Sequence, residues 1–174
     1  QEDKITLTKE TVKSYQELII ANYLTLNGIN YIYENPYEFK TSTSNYRQYK
    51  PDFYLPDYDI YIEHFGMDRN GNTAPYIDSV KYNEERKWKI DLHRQYGTNL
   101  IETFSYEYNE NNLLTLLKKK LESYQVEFKE LTKEQIIKLL EATIEDKTFT
   151  KLFSTFLNHF KSNRHDINKL LLEQ

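Results

Sequence analysis

Carboxylates interrupt a segment that otherwise has the composition of a buried strand pair, YKPDFYLPDYDIYIEHFGMD (residues 49–68). The residues LPDY at 55–58 favour a tight turn between two strands. Antiparallel pairing about a centre just after Asp57 brings Asp52 directly opposite Glu63. The spacing therefore predicts two carboxylates on one face of a hairpin.

Opposed residues of an antiparallel pair have Cβ atoms roughly 4.5 to 5.5 Å apart, and like charges at that distance repel. Either one carboxyl group is protonated or a cation lies between them. A hard divalent ion such as Mg²⁺ binds a few carboxylate oxygens together with water. Acidic residues are also common on the solvent face of antiparallel strands, so an ordinary solvated hairpin is the alternative.

The composition narrows the chemistry that is available. The chain has 174 residues and no cysteine, which excludes disulfides, thiolate catalysis and cysteine zinc sites. Its 16 tyrosines and 9 phenylalanines predict a core of large rings with polar tips. No apolar run is long enough to span a membrane, so we expect a cytoplasmic protein. The only methionine is Met67, so we expect the chain to be a fragment of a longer protein or a processed product.

Hydrophobic periodicity and turn residues predict the elements that position these side chains. Before the hairpin we expect a helix over 11–27 and a strand over 29–39. After the hairpin we expect a helix over 79–96 that ends at Gly97, and then a strand over 98–106. A further helix is predicted over 109–124, with Asn109 or Asn111 as its N-terminal cap. Thr132 and Gln135 predict a capping box for a helix over 131–146, followed by a Phe-rich helix over 148–163 and a third from 166. The fold class is therefore α/β (α+β), a small mixed β-sheet flanked by helices over 1–128, with an all-helical extension over 129–174.

Three segments resemble a known family. KPDFYLPDYDIYIEHFG, the WK of the following helix and YGTNLIETFS resemble the PD-(D/E)XK, restriction-endonuclease-like fold, and in particular its very-short-patch-repair-like branch. Together with VKSYQELIIANYLTLNGINYIYE they are similar to the nuclease-like insert of UvrD-type superfamily 1 DNA helicases of the helicase IV type. The C-terminal FTKLFSTFLNHFKSN is similar to the stretch that leads such inserts back to the helicase core.

The resemblance implies a role for particular residues. Asp52 takes the first metal-ligand position, Glu63 the second, and Glu17 matches the glutamate that the family carries on its first helix. The metal would be Mg²⁺ or Mn²⁺. For Glu17, an ordinary exposed helix residue is the alternative.

The family pattern places a lysine at position 65, where this chain has Phe65. We expect Lys89, on the helix after the hairpin, to take the catalytic role of that lysine, with Lys87 as second choice. Residues i and i+2 of a helix face different sides, so both cannot point inward. The departure from the pattern puts the activity in question more than the fold.

The remaining polar residues receive secondary roles. His93 lies four residues after Lys89 on the same helical face, which makes it a candidate phosphate contact or base. For both His93 and His64, a structural histidine with satisfied hydrogen bonds is the default. His64 alternates away from Glu63 and is more typical of the core, while Glu102 could approach from the neighbouring strand. The expected DNA contacts are Arg47, Lys50, Arg69, Lys87 and His93, with Lys40 near them in sequence.

The sequence therefore predicts a metal-dependent deoxyribonuclease domain of an ATP-dependent DNA helicase, with DNA and the helicase domains as partners. No Walker-type sequence occurs in the chain, so ATP would be bound only by the parent helicase. The alternative is a catalytically inactive nuclease-fold module that holds DNA or packs against the motor. A glycosidase based on the same carboxylates has no further support.

Overall fold

The computed structural model describes residues 3–144. In chain order its elements are β1 (Lys4–Ile5), β2 (Thr11–Val12), α1 (Tyr15–Leu26), β3 (Ile32–Tyr33), β4 (Phe53–Leu55), β5 (Ile60–Phe65), α2 (Ser79–Tyr96), β6 (Asn99–Phe104), α3 (Ser105–Asn109), α4 (Leu113–Ser123) and α5 (Lys133–Ile144). None of the helices within these residues is long and apolar enough to cross a membrane. The predicted helices over 148–163 and from 166 lie outside the described residues.

Residues 3–144 divide into two compact units, one formed by residues 30–127 and the other by residues 3–29 together with 128–144. The outer segments contain the small antiparallel sheet β1–β2 together with α1 and α5. In this unit Gly28 follows α1 with φ +68°, and the backbone N–H of Lys129 donates to the carbonyl oxygen of Asn27 at 2.9 Å. The capping box predicted for α5 is confirmed, because Thr132 and Gln135 each accept a hydrogen bond from the other's backbone N–H.

The unit over 30–127 is built on a four-stranded sheet of order β3-β4-β5-β6. The pairs β3–β4 and β4–β5 are antiparallel, whereas β5 and β6 are parallel and are connected through α2. The predicted mixed α and β composition with a small mixed sheet is therefore confirmed. Parallel neighbours need a long crossover connection, and α2 supplies it.

The hairpin turn forms where the sequence predicts it. The backbone N–H of Tyr58 donates to the carbonyl oxygen of Leu55 at 3.2 Å, and Asp59 follows with φ 53°. Aspartate is one of the few residues other than glycine that adopts this left-handed region readily. Local turn chemistry therefore fixes the register of β4 and β5.

The helix α2 matches its predicted bounds. Gly97 adopts φ 67° at its C-terminal cap, and the side chain of Asp78 accepts hydrogen bonds from the backbone N–H groups of Val80 and Lys81 at its start. The inner face of α2 buries Leu92 and His93. Leu92 belongs to a cluster with Tyr37, Tyr49 and Tyr61, which agrees with a core built from tyrosine rings.

Three predicted boundaries are wrong. The helix α1 begins at Tyr15 rather than at residue 11, because Ser14 caps it and Thr11–Val12 pair with β1. The strand predicted over 29–39 contracts to Ile32–Tyr33, and Glu34 follows it with φ 49°.

The helix predicted over 109–124 is divided into α3 and α4 by Asn111, which has φ 57°. A left-handed residue cannot continue an α-helix. The N-terminal cap of α4 is consequently Asn112 instead of Asn109 or Asn111. The amphipathic pattern located α4 correctly, and its Leu113, Leu117 and Leu121 are buried.

Candidate functional site

The register of the hairpin is the one predicted from its turn. Phe53 pairs with Ile62 and Leu55 with Ile60, and one further step along this ladder places Asp52 opposite Glu63. The Oδ2 atom of Asp52 accepts a hydrogen bond from the backbone N–H of His64 at 2.7 Å. The Asp52 side chain thus satisfies an amide just beyond the end of the ladder and remains partly exposed.

Glu63 is the most unusual group of this unit, because its carboxylate lies in the core with a relative exposure of 2%. Its Oε2 atom accepts a hydrogen bond from Nζ of Lys89 at 3.0 Å. Its Oε1 atom is buried and has no hydrogen-bonding partner within residues 3–144. Burial raises the pKa of Glu63 above its usual range, and the Lys89 ammonium group only partly offsets this effect. A buried carboxylate oxygen without a partner is costly, and either a water molecule or an ion would satisfy Oε1.

Lys89 is held among carboxylates on the sheet-facing side of α2. Its Nζ atom lies 3.0 Å from Oε2 of Glu63 and 3.7 Å from Oε1 of Glu85. Burial alone lowers the pKa of Lys89, but the charges of Glu63, Asp52 and Glu85 outweigh it and raise the pKa above its ordinary value. Lys89 therefore stays protonated at neutral pH and acts as a fixed positive charge.

Phe65 occupies the position where the family resemblance implies a lysine. It is 2% exposed, and its ring centroid lies 5.6 Å from Nζ of Lys89 and 5.5 Å from Cζ of Arg86. Aromatic faces attract cations at such distances. Phe65 therefore forms part of the pocket that holds the Lys89 ammonium group.

Tyr49 connects this site to a buried polar chain. Its hydroxyl lies 3.2 Å from Nε2 of His93, and it also interacts with Glu63, whose pKa it helps to lower. The Nδ1 atom of His93 lies 2.7 Å from Oγ1 of Thr98, which in turn lies 2.6 Å from the hydroxyl of Tyr37. Burial raises the pKa of Tyr49 far above its usual value. The Tyr49 hydroxyl is therefore a permanent proton donor, directed by its neighbours.

The predicted role of His93 as a DNA contact is wrong. The side chain is 2% exposed and both ring nitrogens have protein partners, so a phosphate cannot reach it. Burial lowers the pKa of His93 to about 4, and it is neutral at physiological pH. Its place is behind Tyr49, where it orients the hydroxyl.

His64 and Glu102 lie on opposite faces of the sheet. The Nδ1 atom of His64 lies 2.9 Å from Oγ1 of Thr103, and burial lowers its pKa to about 4, so it has the structural role expected of it. Glu102 is the partner of Glu63 in the parallel ladder and shares its face. Its Oε2 atom lies 2.6 Å from Nη2 of Arg86, so α2 supplies one cation for each of the two glutamates.

Glu17 belongs to the other compact unit and is 8% exposed. Its carboxylate accepts hydrogen bonds from the Lys13 backbone N–H and the Ser14 hydroxyl, while the Glu17 backbone N–H donates to Ser14. Ser14 and Glu17 thus cap the start of α1. These contacts give Glu17 a local structural role, and its proposed metal role stays a prediction.

The predicted basic DNA contacts are exposed in different places. Arg47 and Lys50 flank Tyr49 in sequence, and Lys87 lies on the outer side of α2. Arg69 is 63% exposed, forms a bidentate pair with Glu110 and lies over the Tyr106 ring at 4.6 Å. The structure thus brings Asp52, Glu63 and Lys89 together, while Arg47, Lys50 and Lys87 are exposed.

Sequence reasoning missed Tyr49 and Tyr82. The Tyr82 hydroxyl accepts a hydrogen bond from the backbone N–H of Gly66 at 2.9 Å, and the charges of Lys89, Asp52 and Glu63 all act on it. For Tyr49, its position three residues before Asp52 was the available signal. For Tyr82 it was the helical spacing, since Tyr82 and Lys89 are seven residues apart on one face.

Within residues 3–144, no three or more histidine or acidic side chains are grouped so that they alone could hold a metal ion. A magnesium site does not require three, because Mg²⁺ is usually held by one or two carboxylates together with water and substrate phosphate. No family model, curated protein or solved structure matches this chain.

Proposed function

We propose that this chain is a metal-dependent phosphodiesterase that acts on DNA, with Asp52 and Glu63 as metal ligands. The observation that carries the proposal is the buried Oε1 atom of Glu63, which has no hydrogen-bonding partner in the described chain, beside Asp52 and Lys89. The oxygen donors match the preference of Mg²⁺ or Mn²⁺. Bound there, such an ion would lower the pKa of a coordinated water and stabilise charge on a phosphate.

Lys89 and Tyr49 would have separate roles in the reaction. Lys89, which stays protonated, would stabilise negative charge developing on the scissile phosphate. It could do so only after moving from Glu63 towards the substrate, and the ion would replace it as the countercharge of that carboxylate. The Tyr49 hydroxyl, held by His93, would donate to Glu63 and keep its orientation fixed. The Glu63–Lys89 pair would thus exchange partners when the ion and the substrate bind.

The resemblance of KPDFYLPDYDIYIEHFG and its neighbouring segments to the PD-(D/E)XK inserts of UvrD-type helicases supports DNA as the substrate. We propose that the chain acts within such a helicase, whose motor would bind ATP and deliver DNA. Arg47, Lys50 and Lys87 would contact phosphates and provide affinity without reading sequence.

A second candidate function is a nuclease-fold module without catalysis, and the Glu63–Lys89 ion pair favours it. This pair neutralises the buried carboxylate even without a metal, so it is compatible with a purely structural site. Only the first candidate requires a divalent ion at Glu63, and only the first cleaves DNA.

Mn²⁺ binding to the 174-residue chain, measured by titration calorimetry, tests this requirement before any activity is assayed. We expect Asp52→Asn and Glu63→Gln each to weaken binding by at least about tenfold, because each removes a charged ligand. Asp57→Asn is the matched control, since Asp57 lies in the same hairpin but is exposed and bonded to Asn30.

Cleavage of single- and double-stranded DNA is then compared with Mn²⁺ and with EDTA. We expect wild type and Asp57→Asn to cleave, and Asp52→Asn to be inactive. Mn²⁺ binding without cleavage would favour the non-catalytic module. Unchanged Mn²⁺ affinity in Asp52→Asn would remove the metal site altogether.

A further inference from the structure

Trp88 is an exposed aromatic residue directly beside the candidate site. It lies on α2 next to Lys89, and it is 46% exposed. Its ring meets that of Tyr49 at an interplanar angle of 75° with centroids 5.6 Å apart. An edge-to-face contact covers at most one face of the indole. Trp88 is therefore held in place by Tyr49 and still presents an aromatic face to solvent.

The surroundings of Trp88 carry charges of both signs. Lys87, directly before it in sequence, is exposed, and Lys89, directly after it, reaches Glu63. Glu84, Glu85 and Asp91 are exposed neighbours of Trp88 one turn away on α2. The Tyr49 ring centroid is 5.6 Å from both the Trp88 centroid and Nζ of Lys89. The Trp88 indole and the Lys89 ammonium group are therefore separated by no more than twice 5.6 Å. A base and a nearby phosphate of one strand can span this distance.

We propose that Trp88 is a stacking platform for a nucleobase of single-stranded nucleic acid. The inference rests on the proposed function, and it names the form of substrate that the site would accept. Exposed aromatic rings combined with cations along a groove are the general means of binding single strands, because every base has a π-face and every nucleotide a phosphate. In a duplex the bases are stacked on each other, so no base face is available to an indole on the protein surface.

The fluorescence of the chain reports directly on this contact, since Trp88 is its only tryptophan. The 174-residue chain is titrated in EDTA, which prevents metal-dependent cleavage, with an oligothymidylate of about eight nucleotides. An abasic strand of the same length and a blunt duplex serve as comparisons. We expect the oligothymidylate to quench Trp88, and the other two to leave its emission nearly unchanged at low salt.

Substitutions at Trp88 separate stacking from simple apolar contact. With a fluorescein-labelled oligothymidylate and anisotropy as readout, we expect Trp88→Leu to weaken binding roughly tenfold and Trp88→Phe to weaken it much less. Tyr124→Ala is the matched control, because Tyr124 is also an exposed aromatic residue, at 39%, but follows α4. We expect it to bind as wild type does.

The outcomes separate this inference from the proposed function. Quenching by single strands in a chain that neither binds Mn²⁺ nor cleaves DNA would remove the nuclease and leave the platform. Cleavage with equal affinities for wild type and Trp88→Leu would overturn the platform and leave the nuclease. Tighter binding of the abasic strand or the duplex than of oligothymidylate would also overturn it. Self-association that is lost in Trp88→Leu would instead identify Trp88 as a contact between copies.

Discussion

At the scale of single residues, Lys89 compensates a buried charge that would otherwise be unfavourable. Replacing Lys89 by methionine removes the cation and leaves Glu63 unpaired in a position that is only 2% exposed. We expect Lys89→Met to lower the free energy of unfolding by about 3 kcal/mol, the lower end of the usual range for breaking a buried pair. Urea denaturation monitored by circular dichroism measures the difference.

The double variant Lys89→Met/Glu63→Leu supplies the control for this prediction. Removing both charges leaves no uncompensated ion, so we expect it to recover most of the lost stability while abolishing Mn²⁺ binding. A double variant no more stable than Lys89→Met would contradict the argument, because it would place the cost in packing rather than in the unpaired carboxylate.

Phe65 lies at the position where the resemblance implies a lysine, and its surroundings disfavour a cation there. The side chain is buried, and the cations of Arg86 and Lys89 already lie over its ring. A lysine there would bury a third positive charge and remove aromatic contacts. We expect Phe65→Lys to destabilise the protein by about 3 kcal/mol or more and to reduce cleavage, whereas Phe65→Leu should cost less. Faster DNA cleavage by Phe65→Lys would mean that the catalytic cation belongs at position 65 and not at position 89.

The residues of the site differ in how far the sequence predicts them. Asp52 and Glu63 could be placed opposite each other because the turn and the alternation between them are local. The environment of Lys89 could be anticipated only through the resemblance. The contact of Tyr49 with His93 joins residues 44 positions apart, and no spacing rule reports such a contact. For that reason His93 was predicted to contact DNA, although it is buried.

At the scale of elements, two glycines with similar backbone conformations end helices in different surroundings. Gly28 has φ +68° and Gly97 has φ +67°. A Cβ atom at Gly97 would meet no heavy atom within 4 Å, whereas at Gly28 it would lie 2.6 Å from the carbonyl oxygen of Lys129. The alanine substitution therefore carries conformational strain at both positions and a backbone clash at one of them.

We expect Gly97→Ala to lower the free energy of unfolding by about 1 kcal/mol, from the left-handed backbone alone. Gly28→Ala should cost clearly more, because Lys129 must move and its hydrogen bond to Asn27 is disturbed. Urea unfolding of the two variants side by side measures this difference. Equal losses would mean that the segment at Lys129 shifts without cost.

The same contrast between local and distant causes explains the predicted elements. Both ends of α2 are determined by residues next to it in the sequence, Asp78 at its start and Gly97 at its end. Its bounds were therefore predicted correctly. The segment 29–39 has a strand-like composition, but its pairing partner lies beyond a long loop and Glu34 turns the chain. Instead of a ladder, the Gln48 side chain binds the carbonyl oxygens of Tyr37 and Phe39. Composition indicates an extended segment and does not identify its partner.

At the scale of the whole molecule, the burial of two histidines couples stability to pH. Burial lowers the pKa of both His64 and His93 from 6.5 to about 4. The unfolded chain therefore binds more protons than the folded chain between those values. Stability should be fully present above about pH 6.5 and fall as the pH decreases towards 4, with a slope of about 1.4 kcal/mol per pH unit for each histidine. Urea midpoints across this range measure the slope.

Glu63 acts in the opposite direction, because burial raises its pKa and the folded chain takes up its proton more readily than the unfolded chain does. The contribution of each group to the pH dependence of stability is therefore measured by comparing a variant that lacks the group with wild type. We expect His93→Gln to flatten the pH dependence relative to wild type, since glutamine keeps a hydrogen-bonding side chain but cannot be protonated. We expect Glu63→Gln to steepen it, because the opposing proton uptake is removed. An unchanged slope in His93→Gln would mean that burial does not lower the pKa of His93 in the folded chain.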